Sequence, residues 1–256
     1  MDTFDHQKGQ HLDVDGAQIY YEEIGNPEKP TLLFLHGGFG NIEEFNSVVP
    51  HLVADFRIIG IDSRGHGKST FGSELNYSRI QMDIETLLQS LQIDNVTIIG
   101  FSDGGTIAYR LAIESSIKIN KIVTIGATWN IKDSISAEEI FRRITAESWK
   151  AKFPESFESY QKLNPAADFS KLTTSMVAMW LDATATGFPN ENVSTIQSPT
   201  LIIRGDNDHL FSRGSVFEVA ELITNSTLLN IPFAGHLAYV DQSEIFMKTL
   251  KQFLNN

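Results

Sequence analysis

Apolar residues in this chain fall into two patterns that alternate along its length. Short aliphatic and β-branched runs at 31–35, 57–61, 96–99, 122–125, 200–204 and 227–231 are apolar enough to be buried on both faces. Between them, residues such as Ile80, Ile84, Leu87, Leu88 and Leu91, and later Val216, Val219, Ala220 and Ile223, recur at helical spacing and read as core stripes. Asn76 or Ser78 can cap the first of these helices. Leu12 to Tyr21 reads as a hairpin, because Asp15-Gly16 is a preferred two-residue turn between alternating apolar positions. The whole pattern predicts an α/β fold: a mostly parallel central sheet, opened by antiparallel strands, with helices on both faces.

One stretch breaks the alternation. From Trp129 to Val193 there is no convincing strand, but helical patterns run over Ala137 to Trp149 and Ser170 to Ala183. This predicts an inserted helical cap at 129–193, between core segments 1–128 and 194–256. The insertion holds all three tryptophans, Trp129, Trp149 and Trp180, with Phe141, Phe153, Phe157 and Phe169. Most of these aromatics are expected to fill core, with Trp129 and Trp180 as candidates to line a pocket beneath the cap.

Composition narrows the function classes. At 256 residues, one catalytic domain with an insertion is the default reading. Hydrophobic residues make up 41% and charged residues 20%, so composition makes no case for disorder. A formal charge of -12 argues against a nucleic-acid partner, which needs clustered Lys and Arg. The start, Met1 to Lys8, lacks the basic and apolar stretches of a leader, and no apolar run approaches the roughly 18 residues of a membrane span. A cytoplasmic protein with no membrane partner, monomeric or weakly dimeric, is expected. Cysteine is absent, which removes disulfides, thiolate metal sites and a cysteine nucleophile together.

The chemistry is carried by loops that follow the predicted strands. Gly100-Phe101-Ser102-Asp103-Gly104-Gly105 fits G-x-S-x-G, after the strand at 96–99 and before the helical Thr106 to Leu111. A serine at such a turn exposes its hydroxyl above the sheet, and the helix start directs N–H groups towards negative charge. Serine is a poor nucleophile at neutral pH and needs a base, which needs an orienting acid. His236, in Phe233-Ala234-Gly235-His236, is the candidate base, with the lone loop residue His209 a weaker rival. Asp206 and Asp208, after the strand at 200–204, are both candidate acids, and the spacing leaves both open. Each of these loops stands at the carboxyl end of a strand, where sites collect in open parallel sheets.

Acyl transfer also needs donors for the developing oxyanion. His36-Gly37-Gly38-Phe39-Gly40 follows the strand at 31–35 and offers free N–H groups, so the donors expected are Gly38 or Phe39 together with Asp103. His36 is expected to brace that loop. Asp62-Ser63-Arg64-Gly65-His66-Gly67-Lys68-Ser69 does not fit the phosphate-loop spacing and reads as a structural turn.

Together the His36-Gly37 loop, the Arg64 turn, the Ser102 elbow, Gly205-Asp206-Asn207-Asp208 and Gly235-His236 resemble the α/β-hydrolase superfamily over nearly the whole chain. The resemblance implies a serine hydrolase cleaving small esters with a Ser102-His236-Asp208 triad, because the last Asp of a G-[DE]-x-D loop is the usual acid there. It implies no metal or organic cofactor. The elbow also resembles that of the valacyclovir hydrolase-like α-amino-acid ester hydrolases, which implies that Asp103 holds a substrate ammonium group. Phe39, Trp129 and Trp180 are the other expected substrate contacts. Thioester or C–C bond hydrolysis, and a weakly catalytic small-molecule receptor on the same fold, remain as alternative functions.

Overall fold

Among the described residues eight strands are formed: β1 (Gln10–Val14), β2 (Ala17–Ile24), β3 (Thr31–Leu35), β4 (Arg57–Ile61), β5 (Asn95–Phe101), β6 (Lys118–Ile125), β7 (Thr200–Gly205) and β8 (Ser226–Ile231). The computed structural model describes residues 3–256, apart from the side chain of Ile135. Met1 and Asp2, where the segment read for a leader begins, lie outside the described residues. The strands join one sheet in the order β1-β2-β4-β3-β5-β6-β7-β8, antiparallel at the β1-β2 and β2-β4 pairs and parallel elsewhere. Asp15 (φ 46°) and Gly16 (φ 73°) make the hairpin turn, both with the positive φ that the right-handed twist of the two strands favours.

The parallel strands are buried on both faces. Leu33, Leu35, Ile59 and Ile98 enter one core with α1 (Tyr77–Ser90), α2 (Asp103–Glu114) and α8 (Arg213–Leu222), while Leu32, Phe34, Ile58 and Ile99 enter the other with α10 (Ser243–Asn255). This is why their sequences run apolar without alternation. Asn76 caps α1 by accepting the Arg79 N–H at 2.7 Å. The chain order reverses across β3 and β5, so the loops that follow these two strands flank the switch point where open sheets place their sites.

Between β6 and β7 the chain forms only helices: α3 (Ile131–Ser136), α4 (Glu138–Phe141), α5 (Ala146–Lys152), α6 (Pro154–Leu163), α7 (Phe169–Trp180) and a 3-10 segment at Asn190–Thr195. The single helix expected over Ala137 to Trp149 is instead split between α4 and α5. Thr145 restarts the helix, its hydroxyl accepting the Ser148 N–H while Ser148 Oγ accepts the Thr145 N–H. The helix expected to reach Ala183 stops at Trp180, where Asp182 folds a turn by accepting from Thr184 N–H and Thr186 Oγ. Asn164 ties this insertion to the core, donating to the Gly67 and Ser69 carbonyls at 3.1 and 2.9 Å. No described helix is long and apolar enough to cross a membrane.

Candidate active site

The turn from β5 into α2 is forced by close contact. Ser102 takes φ 51° and ψ −117°, a conformation a side chain tolerates only under constraint. A Cβ on Gly104 would stand 2.0 Å from the Leu35 carbonyl oxygen, so only glycine lets the start of α2 press this closely on the end of β3. Ser102 is left partly open to solvent.

Three side chains from distant loops meet at this point. Ser102 Oγ lies 3.1 Å from His236 Nε2, and His236 Nδ1 lies 2.8 Å from Asp208 Oδ2. The tautomer that satisfies both bonds has the proton on Nδ1 and leaves Nε2 free to accept from the serine. Asp208 Oδ1 accepts the N–H groups of Leu210 (2.9 Å) and Phe211 (3.3 Å), which fixes the carboxylate plane. Burial pushes the Asp208 carboxyl up, but the bond and charge of His236 and these two N–H groups outweigh it and hold it below the usual range. A residue that sequence reasoning passed over makes room for the pair: Gly126, at φ 59°, would carry its Cβ 3.0 Å from the His236 ring and 3.2 Å from Asp208 Oδ2.

The rival residues go elsewhere. Asp206 is turned towards Arg213, with contacts of 2.6 and 2.8 Å, and accepts from Asn230 at 2.7 Å. It holds the loop through side chains rather than through backbone N–H groups. His209 is exposed. His36 donates from Nδ1 to the Gly37 carbonyl at 2.7 Å and accepts the Ser63 N–H on Nε2 at 3.0 Å, so it braces the loop, and burial lowers its pKa. The Arg64 turn is consumed structurally, Arg64 forking onto Asp83 at 2.6 and 2.7 Å in a buried pair.

The loop after β3 turns at Gly38 and Phe39, closed by Gly40 N–H donating to Gly37 O at 3.1 Å. Phe39 sits at φ 60°, where a type II turn usually puts glycine. Its ring is pinned between Trp149 (4.2 Å), Phe169 (5.3 Å) and Trp180 (5.6 Å), and Ser156 of α6 donates to its carbonyl at 3.1 Å. Among the described residues, the N–H groups of Gly38, Phe39 and Asp103 donate to no other protein group.

Asp103 is buried beside Ser102. Its carboxylate accepts from Tyr77 Oη at 2.6 Å and from Trp180 Nε1 at 2.9 and 3.0 Å, and a Cβ on Gly38 would stand 2.6 Å from its Oδ2. Burial pushes its pKa up, while the bonds from Tyr77 and Trp180 and the charge of His236 act the other way. Tyr77, the first residue of α1, carried no sequence signal for this role. Trp129 requires a correction: it is fully buried and its indole N–H is spent on Ser215 Oγ (2.8 Å) and the Ser215 carbonyl (3.1 Å). An enclosed ring with its donor satisfied has no edge to offer a substrate, so Trp129 is core filling. Trp180 does reach the site.

A profile of the alpha/beta hydrolase fold matches residues 30–182. The chain belongs to that family. It is 25% identical to the esterase YbfF of Escherichia coli (strain K12), with 88% of this chain and 93% of that protein covered. It is likewise 25% identical to the mouse (Mus musculus) sn-1-specific diacylglycerol lipase ABHD11, over 90% of this chain and 82% of that one. The esterase EaEST from Exiguobacterium antarcticum superposes with a TM-score of 0.79 at 24% identity, covering 97% of this chain and 100% of that chain.

Proposed function

We propose that this protein hydrolyses small carboxylic esters through an acyl-enzyme on Ser102. The observation that carries the reading is the unbroken path from Ser102 Oγ through His236 to Asp208, with contacts of 3.1 and 2.8 Å, beside three N–H groups that have no other protein acceptor among the described residues. His236 Nε2 takes the hydroxyl proton as Oγ bonds to the ester carbonyl carbon. The carbonyl oxygen becomes an anion and accepts from the Asp103 N–H and that of Gly38 or Phe39, each such donor being worth about 2.7–4 kcal/mol. The imidazolium returns its proton to the leaving alkoxide as the C–O bond breaks. Water then attacks the acyl carbon and gives a proton to His236, which passes it to Oγ as the acyl C–Oγ bond breaks, releasing the acid and regenerating the serine. Asp208 keeps the imidazole in the tautomer that both steps need. The chemistry calls for no metal or organic cofactor.

Relatives carrying the names esterase and lipase support esters as the substrate class. A small-molecule substrate, no nucleic-acid or membrane partner, a cytoplasmic location and a monomeric or weakly dimeric state belong to the same proposal. Its test is burst hydrolysis of p-nitrophenyl acetate, expected in the wild type and lost in Ser102→Ala. Tight ligand binding with no turnover in the wild type would instead point to a receptor.

A preference for α-amino-acid esters, as in valacyclovir hydrolase-like enzymes, rests on Asp103. A buried carboxylate next to the nucleophile attracts a cation, and two donors leave it acceptor capacity on the side facing Gly38. An ammonium would have to share the carboxylate with Trp180. An alanine ester should then be cleaved faster than its N-acetylated form by the wild type, and Asp103→Ala should erase the difference; equal rates in the wild type would remove the ammonium role.

A further inference from the structure

Glu44 lies behind the loop that carries Gly38 and Phe39, only partly open to solvent, and none of the chemistry above uses it. Its Oε2 accepts the Gly37 N–H at 3.1 Å, while a Cβ on Gly40 would stand 2.1 Å from its Oε1. The carboxyl therefore fills the hollow of the turn, touching both of its ends. Gly37 is in turn held on its carbonyl by His36, and a Cβ placed on it would meet Ser102 Cβ at 3.2 Å. Glu44 is thus one residue removed from the nucleophile and bonded to the backbone that precedes the candidate oxyanion donors.

We propose that Glu44 is a positioning residue for the oxyanion loop, and that the loop serves the reaction when this carboxyl is uncharged. The inference rests on the Ser102 acyl-enzyme reading. A neutral carboxyl still accepts the Gly37 N–H and still fills the turn, so the geometry survives protonation. A carboxylate at the same place would put a full negative charge beside the oxygen that becomes anionic in the transition state, in a site where screening is weak.

The surroundings favour the neutral form. Burial comes first, and the negative charges of Asp103 from the elbow and Asp62 from the turn after β4 add to it; the Gly37 N–H acts in the opposite direction. The balance pushes Glu44 up to about 8. Tyr239, on the short helix α9 (Ala238–Asp241) after His236, also feels the Glu44 charge, and its own pKa is pushed up by burial and then by that carboxylate. The imidazolium that forms on His236 has its direct partner in Asp208, bonded at 2.8 Å.

Below the Glu44 pKa the group is neutral and the loop is competent. As pH rises through it, charge appears and kcat falls. With p-nitrophenyl acetate, wild-type kcat should drop by up to about ten-fold between pH 7 and pH 9. Glu44→Gln keeps an acceptor for the Gly37 N–H and cannot ionise, so its kcat should stay level over that range. Glu44→Ala loses the acceptor and should be slower at every pH, chiefly in kcat. Identical alkaline limbs in wild type and Glu44→Gln, or a Glu44→Gln enzyme as slow at every pH as Glu44→Ala, would overturn the proposal.

A second measurement separates this inference from the reading beneath it. Butylboronic acid adds to an activated serine as an anionic tetrahedral boronate, and the Glu44 carboxyl can be titrated by 13C NMR, its signal assigned by its absence in Glu44→Gln. Saturating boronate should move the Glu44 midpoint upward. No boronate adduct on Ser102 means the nucleophile reading has failed, whereas an adduct that leaves the midpoint in place means that Glu44 is not coupled to the oxyanion.

Discussion

The loops at the carboxyl ends of β3, β5, β7 and β8 surround Ser102, and the helical insertion between β6 and β7 reaches the neighbouring Asp103 and Phe39, but the two regions are held by different forces. On the sheet side each candidate group is fixed by backbone. Asp208 is gripped by two N–H groups, Gly104 presses against the Leu35 carbonyl, and Gly126 clears the space for His236. The insertion instead reaches the site through side chains: Trp180 on Asp103, Ser156 on the Phe39 carbonyl, and Trp149 and Phe169 around the Phe39 ring. The same insertion leaves Ile140 and Phe153 half-exposed. On the reading proposed above, the candidate bond-making groups stand on backbone-held elements and the groups around them on side-chain contacts, a division that suits a site that must keep its geometry while admitting a substrate.

This contrast implies that changes on the sheet side act on kcat and changes on the insertion act on KM. The largest effect is expected for Asp208→Asn. The amide can no longer hold the Nδ1–H tautomer, so kcat should fall on the order of 10³–10⁴-fold with KM nearly unchanged and the circular dichroism spectrum preserved. Because its native pKa is depressed, Asp208 adds stability that is fully present above its unfolded value of about 3.9 and is lost as pH falls through the native value. The variant should therefore lose some thermal stability at pH 7 and show a flatter acid limb of stability than the wild type. A fall in kcat of less than about ten-fold would mean that the imidazole is oriented by its surroundings alone.

On the insertion, Trp180→Phe keeps a ring against Phe39 but removes the indole N–H. Asp103 is left with Tyr77 as its remaining side-chain donor, a loss of about 1.5–3 kcal/mol in the link between insertion and core. KM should rise several-fold, kcat should change less, and amide hydrogen exchange in α7 should quicken. If kcat instead dropped as far as in Asp208→Asn, the indole would belong with the reacting groups and the division between the two regions would fail.

The same division explains what the sequence revealed. The parallel strands were legible because burial on both faces leaves near-continuous apolar runs, and the elbow because its glycines are required by backbone contact rather than by packing. The candidate acid is less so: Asp206 and Asp208 occupy one loop and share a chemistry, so in the sequence only family resemblance ranks them, while in the structure it is Asp208 that bonds His236. The insertion was read poorly. Nothing in an aromatic-rich helical stretch says which ring faces core, so Trp129 and Trp180 looked alike although one is sealed against Ser215 and the other bonds Asp103. The break between α4 and α5 depended on Thr145 and Ser148, whose capping role is weaker in sequence than the usual pairing with Glu or Gln. Tyr77 and Glu44 reach the site from α1 and from the 3-10 turn after the Phe39 loop, contacts set by how elements pack rather than by any local pattern.

The smallest effect is expected from Asp206→Asn, and it probes the contrast from within the sheet side itself. Asp206 lies two positions from Asp208 on the same loop, yet its partners are the exposed Arg213 and Asn230, and no contact joins it to His236. Those bonds and the Arg213 charge hold its carboxyl low, but a pair this open to solvent is screened and contributes little. An amide keeps the bond from Asn230 on its one oxygen but loses the charge and one of the two Arg213 bonds, both exposed, so kcat should stay within about two-fold of wild type at low and high salt alike. Position on the rigid side is then not enough to matter for the chemistry; the side chain must also be tied to the imidazole. A loss of kcat comparable to that of Asp208→Asn would make Asp206 the orienting acid in solution and would require the loop to rearrange from the conformation described above.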